Sequence, residues 1–122
     1  MKVLSLEKER IKITMQLIGV GEDMCVIITG GDKPHIGCVT LSTPRQSLAD
    51  KNIISATTSV LNLIGHKDDE VARYVSHKLS SALNKNVAAS CGIHIDNAEK
   101  REIELIMKIT EELTEMIINE SL

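Results

Sequence analysis

The sequence of residues 24–42 is Met24-Cys25-Val26-Ile27-Ile28-Thr29, Gly30-Gly31-Asp32-Lys33-Pro34-His35, Ile36-Gly37-Cys38-Val39-Thr40-Leu41-Ser42. The two outer segments are apolar and rich in β-branched residues, as strands are, and the central segment has the glycines and the proline of a turn. Upstream, residues 11–17 alternate apolar with polar side chains, as a half-buried strand requires. We therefore predict two successive hairpins, one joining 11–17 to 24–29 and one joining 24–29 to 36–42.

The second half of the chain adds two strands and two helices. Residues 55–63 start polar and end apolar, which predicts a fourth strand that stops at Gly65. Asp68-Asp69-Glu70 places negative charge at the start of a helix, and residues 71–83 repeat apolar side chains at helical spacing. A fifth strand is predicted over residues 87–95, and Asp96-Asn97 is predicted to cap a last helix that runs from Ala98 to Asn119.

These elements define an α+β fold with about five mainly antiparallel strands in a sandwich-like sheet arrangement and two helices. Their order is strand, strand, strand, strand, helix, strand, helix. We predict a single domain over residues 1–122, with 1–8 as a flexible or helical N-terminal segment. The apolar stripe of the last helix is wider than one face, because Leu105, Met107 and Ile118 extend it. That width predicts a second contact surface on this helix.

Composition excludes several kinds of partner. The net charge is -3, no block of Lys and Arg occurs, and Tyr74 is the single aromatic residue, so we expect no nucleic acid partner. No apolar run approaches the roughly 20 residues of a membrane helix, and the first eight residues are too charged for a signal peptide, so a cytoplasmic protein is expected. Cys25, Cys38 and Cys91 form no CxxC pair, which favours buried structural thiols.

Three loops of the predicted fold lie at one end of the sheet. If the second strand runs up, the loops after the second, fourth and fifth strands all lie at the top, because the intervening strand and helix each return the chain to the bottom. The residues that we place there as ligand- or partner-binding are Gly30, Gly31, Asp32, Lys33, His35, Gly65, His66, Lys67, Asp68, His94, Asp96 and Asn97.

This loop cluster supports two kinds of interpretation. Residues 30–37 form either a glycine-rich turn or a cradle in which backbone amides and Lys33 hold an anion such as a phosphate. His35, His66 and His94 are either polar loop residues or a metal site, although no two of them have a spacing such as HxxxH. A proton relay or a substrate-orienting role is a further alternative. We find no GxSxG or HExxH motif, so no catalytic residue is assigned.

Three of these segments resemble the small chaperone-like proteins of the LpdD type, which are linked to prenylated-flavin-dependent decarboxylases of the UbiD class. The matching segments are Gly30-Gly31-Asp32-Lys33-Pro34-His35-Ile36-Gly37, Leu63-Ile64-Gly65-His66-Lys67-Asp68-Asp69 and Gly92-Ile93-His94-Ile95-Asp96-Asn97-Ala98. The order of elements is also similar to that of the eukaryotic proteasome assembly chaperones, which are dimers without enzymatic activity.

The resemblance implies an accessory chaperone or small subunit that assists a UbiD-type decarboxylase. It implies a homodimer that holds no cofactor tightly and meets prenylated FMN through its partner, with the top loops contacting the flavin phosphate or the partner. An accessory protein is favoured over an enzyme. The alternative is a small metal- or phosphate-ligand-binding protein or enzyme that uses the loop cluster of His35, His66 and His94.

Overall fold

The computed structural model describes residues 1–63 and 68–121. Its elements, in chain order, are β1 (Lys2–Lys8), β2 (Ile11–Val20), β3 (Asp23–Gly31), β4 (Cys38–Gln46), β5 (Ile54–Asn62), α1 (Asp69–Leu83), β6 (Val87–His94) and α2 (Lys100–Ser121). The six strands form one sheet in the order β1-β2-β3-β6-β4-β5. Within this described sheet β3 and β6 pair in parallel, and every other pair of neighbouring strands is antiparallel.

The α+β class and the two helices are confirmed, and the number and arrangement of strands are corrected. Six strands are present because residues 2–8 form β1, an edge strand in antiparallel register with β2, and not a flexible or helical segment. The strands lie in a single mixed sheet and not in a sandwich, since each described strand is hydrogen-bonded to a neighbour in that sheet.

One of the two predicted hairpins is wrong. β2 and β3 form the expected hairpin, whereas β3 and β4 are not neighbours. β6 lies between them, parallel to β3 and antiparallel to β4, so residues 32–37 carry the chain across the end of β6. Local sequence could not reveal this, because the strand that separates β3 from β4 lies about fifty residues further along the chain.

Both helices cover the same face of the sheet. α2 packs on β1 and β2 through Ile109, Leu113 and Ile117, which are essentially fully buried with Ile13 and Met15 beneath them. α1 packs on β4, β5 and β6, and its buried residues include Val75 and Leu79 together with two serines. The side chains that the two helices share with the sheet form one apolar core.

The opposite face of the sheet is covered by neither α1 nor α2. Paired positions across it present a row of Val3, Gln16, Ile27, Ser90, Val39 and Leu61, and a row of Ile18, Cys25, Ala88, Leu41 and Ser59. Leu41 is 51% exposed and Leu61 is 75% exposed. These two rows, which we call the open face, contain no charged residue.

Candidate functional site

The loops after β3 and β6 and the start of α1 meet at one end of the sheet, as the parity argument predicted. The peptide N–H of Asp32 donates to the carbonyl of His94 (2.7 Å), and the carboxylate of Asp32 accepts from the peptide N–H of Asp96 (2.9 Å). Asp68 lies at the start of α1, next to β6. Gly65, His66 and Lys67 fall outside the described residues, so their predicted place in this cluster stays a prediction.

Asp68 joins three separate segments. Its Oδ1 accepts from the peptide N–H of Ile93 in β6 (3.0 Å), and its Oδ2 lies 3.3 Å from Nε2 of His35 in the β3–β4 connection. The Asp68 side chain is only 8% exposed. Although Asp68 occupies the N-cap position of α1, its side chain makes no capping bond to that helix, so its carboxylate serves the junction between loops.

His35 is held between two oxygen acceptors. Its Nδ1 lies 2.9 Å from the carbonyl oxygen of Lys33, and its Nε2 faces Asp68. Since a carbonyl and a carboxylate both accept hydrogen bonds, the ring is fixed in orientation, and its side chain is 25% exposed. His35 therefore holds the loop in place and also presents one edge at the surface.

Glycines make the crossing of residues 32–37 over β6 sterically feasible. A Cβ on Gly92 would overlap the backbone of His35, and a Cβ on Gly37 would overlap the Asp68 carboxylate. Gly31 has a φ of +75°, in the left-handed region that a residue without a Cβ adopts without strain. The close approach of the loop to β6 thus depends on residues without side chains.

His94 and Asp96 form a second histidine–aspartate pair. His94 Nε2 lies 2.9 Å from Asp96 Oδ1, and both side chains are about half exposed. Asn97 has a left-handed φ of 52° and turns the chain toward α2. The predicted cap at Asp96-Asn97 is wrong, because α2 begins at Lys100 and the preceding Glu99 donates its peptide N–H to Glu102 Oε1 (3.1 Å) in a capping-box arrangement.

Arg10, in the turn between β1 and β2, anchors the start of α2. Its Nε and Nη2 donate to the two carboxylate oxygens of Glu102 at 2.5 and 2.8 Å, and Nη2 also donates to the carbonyl of Asp96 (2.9 Å). The hydrogen bonds from Arg10 and then from the Glu99 peptide lower the pKa of Glu102 to about 2. This pair was not predicted from the sequence, although Glu102 at the third position of a helix is a recognisable capping signal.

The charge at this end bears on the anion-cradle interpretation. Asp32, Asp68 and Asp96 lie in the loops, and Asp69 and Glu70 occupy the first turn of α1. These carboxylates lie beside the helix N-terminus, where the partial positive charge of the helix would otherwise stabilise a bound phosphate most. Lys33 is the one cation of the described part of residues 30–37, so phosphate binding by this loop stays a prediction with little electrostatic support.

The described residues contain no group of three or more His, Cys, Asp or Glu side chains arranged to hold a metal ion. His35 pairs with Asp68 and His94 pairs with Asp96, so each contributes to a separate contact. The three-histidine metal site requires His66, which lies outside the described residues, and it stays a prediction. In the same described ranges, every buried polar side-chain atom has a hydrogen-bond partner.

An apolar groove opens beside these loops, between the N-terminal halves of α1 and α2. Its volume is about 260 Å³. It is lined by Asp68, Glu70, Val71, Ile93, His94, Ile95, Ala98, Ile103, Ile106 and Met107. The groove was not predicted from the sequence, because it exists only where the two helices and β6 pack together.

Two of the three cysteines are buried in the core, as predicted. Cys38 and Cys91 face each other on β4 and β6 and are at most 1% exposed, and burial raises the pKa of both thiols. Cys25 is half-buried on the open face. Raised thiol pKa values disfavour the reactive thiolate, so Cys38 and Cys91 are structural.

The fold has a counterpart among solved structures. The crystal structure of a novel chaperone complex for yeast 20S proteasome assembly superposes with a TM-score of 0.57, covering 99% of this chain and 98% of that chain. The two sequences are 12% identical, so this likeness shows the fold alone.

In the described ranges, no helix combines the length and apolar character needed to span a membrane.

Sequence comparison identifies the family. Residues 7–121 match the prenylated flavin chaperone LpdD-like domain, and the chain belongs to that family. The chain is also similar to protein LpdD of Lactiplantibacillus plantarum (strain ATCC BAA-793 / NCIMB 8826 / WCFS1). The two are 28% identical over 106 residues, which cover 82% of this chain and 70% of that protein. The resemblance inferred from residues 30–37, 63–69 and 92–98 is therefore confirmed at the level of the family.

Proposed function

We propose that this protein is a cytoplasmic accessory chaperone that carries prenylated FMN to a UbiD-type decarboxylase. The observation that carries the proposal is the match to the prenylated flavin chaperone family over residues 7–121. An accessory chaperone role follows from that family, and the decarboxylase partner is the part that we add. The absence of an assigned catalytic motif in the sequence agrees with a protein that delivers a cofactor rather than uses it.

The residues fit a carrier that holds its ligand loosely. The loop end offers exposed polar groups on His94 and Asp96 beside an apolar groove, which suits brief contact with a ligand or an enzyme surface. Tyr74 is the single aromatic residue of the chain, so extensive ring stacking of the kind that fixes a resident flavin is not available. When bound, prenylated FMN supplies the chemistry of the decarboxylase, and this chain supplies binding and release.

We assign contact with the partner enzyme to the exposed loops around His94. A transfer experiment tests this assignment and the carrier role together. The apo form of a UbiD-type decarboxylase from the same organism is mixed with prenylated FMN under anaerobic conditions, with and without this protein. Flavin retained by the enzyme after desalting and the rate of decarboxylation are then measured, and both are expected to rise when the protein is present.

Two variants sharpen the transfer experiment. His94→Ala removes an exposed loop side chain and is expected to slow transfer, whereas Lys51→Ala changes an exposed residue in the connection at the opposite end of the sheet and is expected to have no effect. Equal loading with and without the wild-type protein contradicts the carrier role. Equal effects of the two variants contradict the assignment of the loop end.

The protein is proposed to act as a homodimer, and the structure changes where we place the interface. The wide stripe on α2 was the predicted surface, but Leu105, Ile106 and Met107 pack partly against the core and Ile118 is 7% exposed, so most of that stripe is used within the chain. The open face has the better chemistry for self-association, because it is uncharged and bears exposed leucines.

Measuring the molar mass in solution tests the dimer. The wild-type protein is expected at twice the protomer mass of 13.4 kDa, and Leu61→Lys on the open face is expected to be monomeric because it buries an unpaired charge. Leu48→Lys is the matched control, since Leu48 is 95% exposed in the connection between β4 and β5 and lies off the open face. A dimer that survives Leu61→Lys places the interface elsewhere.

A further inference from the structure

The groove between α1 and α2 leaves apolar side chains of α2 exposed or only partly buried. Ile103, in the first turn of α2, is 56% exposed, and Ile106 and Met107 behind it are only partly buried. The opposite wall is formed by Val71 of α1 and by Ile93 of β6. Ile106 and Met107 also pack partly against the core, whereas more than half of Ile103 is exposed, so part of this apolar surface remains open to a ligand.

We propose that this groove binds the prenylated ring end of prenylated FMN and leaves the phosphate outside, an assignment that rests on the proposed function. The free energy of the system falls when an apolar ring displaces water from apolar walls, in proportion to the apolar surface that is buried. A prenylated flavin has more apolar ring surface than a plain flavin. The groove therefore distinguishes the two ligands by the added ring.

The size of the groove fits part of the ligand. At about 260 Å³ it is smaller than the ~300–1,000 Å³ typical of sites that enclose a complete drug-sized molecule. The ring end can enter, and the ribityl phosphate must remain in solvent or in contact with another protein. Partial enclosure also leaves the ligand accessible for transfer, which a carrier requires.

Negative charge on the lining of the groove sets the orientation of the ligand. The carboxylates of Asp68 and Glu70 line it, and the Asp68 side chain is only 8% exposed. A phosphate placed beside them would meet like charges, one of which is poorly screened by water. The N-terminus of α1 would otherwise attract an anion, but Asp69 and Glu70 in its own first turn already occupy that field. The phosphate therefore points away from the groove.

Binding measurements test the groove directly. Prenylated FMN and plain FMN are each mixed anaerobically with the protein, and bound ligand is measured by ultrafiltration and flavin absorbance. Ile103→Glu places a charge on the groove wall at an exposed position, and Ala98→Glu does so from outside the helix. Met116→Glu is the control, because Met116 is an apolar residue of the same helix, 39% exposed, that does not line the groove. Circular dichroism and thermal unfolding establish that each variant is folded.

The expected result is selective loss of ring binding. Both groove variants should weaken the affinity for prenylated FMN about tenfold or more, since an apolar contact is replaced by a desolvated charge, while Met116→Glu stays within roughly twofold. Wild-type protein should prefer prenylated FMN to FMN, and millimolar inorganic phosphate should not compete.

Each contrary result has a distinct meaning. Wild-type affinity in folded Ile103→Glu and Ala98→Glu proteins overturns the groove assignment and leaves the carrier function standing. Competition by inorganic phosphate overturns the orientation, because the phosphate would then have its own site on the protein. Absence of prenylated FMN binding to the wild-type protein overturns the carrier function as well as the groove.

Discussion

α1 and α2 lie on the same face of the sheet, but different chemistry holds each of them there. α2 is attached by bulky apolar residues, with Ile109 and Leu113 at 0% exposure. α1 also buries apolar residues, Val75 and Leu79, but its contact with β4 adds a cluster of buried hydroxyl groups. Thr40 Oγ1 lies 2.9 Å from Ser76 Oγ and 3.2 Å from the Ala72 carbonyl, and Ser42 Oγ donates to Ser76 Oγ at 2.8 Å.

The difference shows that apolar burial attaches a helix to the sheet, whereas hydrogen bonds set the helix's orientation on it. Apolar burial is strong but not directional, so it allows a helix to settle wherever packing is dense. Hydrogen bonds between buried hydroxyls have narrow distance and angle requirements, so they fix how a helix is rotated and where it starts. α1 carries Asp68 at its N-terminus, and the hydroxyl contacts of Ser76 therefore position the junction between the loops.

The largest expected effect is on the α2 side. Leu113→Ala should lower the free energy of unfolding by about 2–5 kcal/mol, because it removes a fully buried side chain and leaves a cavity. Denaturant titration followed by circular dichroism measures this change. Glu111→Ala on the exposed side of the same helix is the control and should change stability by at most about 0.5 kcal/mol. Similar losses in both variants contradict the view that α2 is attached by core packing.

A smaller effect is expected on the α1 side. Ser76→Ala should cost about 1–3 kcal/mol, since Thr40 and Ser42 then lose a buried partner. Ser81→Ala is matched in residue type and helix, but its hydroxyl bonds only the Lys78 carbonyl within α1, so little change is expected. If the two serine variants have equal stability, the hydroxyl contacts do not hold α1 to the sheet.

The smallest expected effect depends on pH and concerns the end of α2 that Arg10 anchors. The pKa of Glu102 is lowered from an ordinary value of 4.5 to about 2 in the folded protein, so its carboxylate stabilises the fold above pH 4.5 and that contribution is lost as the pH falls toward 2. Glu102→Gln should be less stable than wild type at neutral pH, and the difference should shrink between pH 4.5 and 2. Denaturation midpoints across this range measure it, and a difference that is constant with pH contradicts the assignment.

Local patterns predicted most elements and the end at which the loops meet. β2 follows from alternation, β3 from a continuous run of apolar and β-branched residues, and α1 and α2 from helical spacing. β1 was missed because it lies at the sheet edge with most of its residues exposed, so Lys2, Glu7 and Lys8 obscure the alternation of Leu4 and Leu6. The misassigned hairpin had a different cause, since strand order depends on pairings between distant segments that no local pattern records.

The candidate site was predicted as a set of residues and not as a set of contacts. Parity placed His35, Asp68 and His94 at one end, but it could not reveal that His35 pairs with Asp68 or that His94 pairs with Asp96. Gly92 carried usable information, because an isolated glycine in a strand often marks close backbone approach, here by His35. The groove required the packing angle between two helices, which the sequence does not give.

The insertion of β6 between β3 and β4 determines the order in which the protein can assemble. Residues 1–63 supply two separate sheet fragments, β1-β2-β3 and β4-β5, and each has an unpaired inner edge until residues 87–94 arrive. During synthesis on the ribosome, both edges remain unpaired until β6 has been made. Unpaired strand edges are sites where chains can pair incorrectly. This member of a chaperone family thus depends, for its own folding, on its last strand closing the sheet.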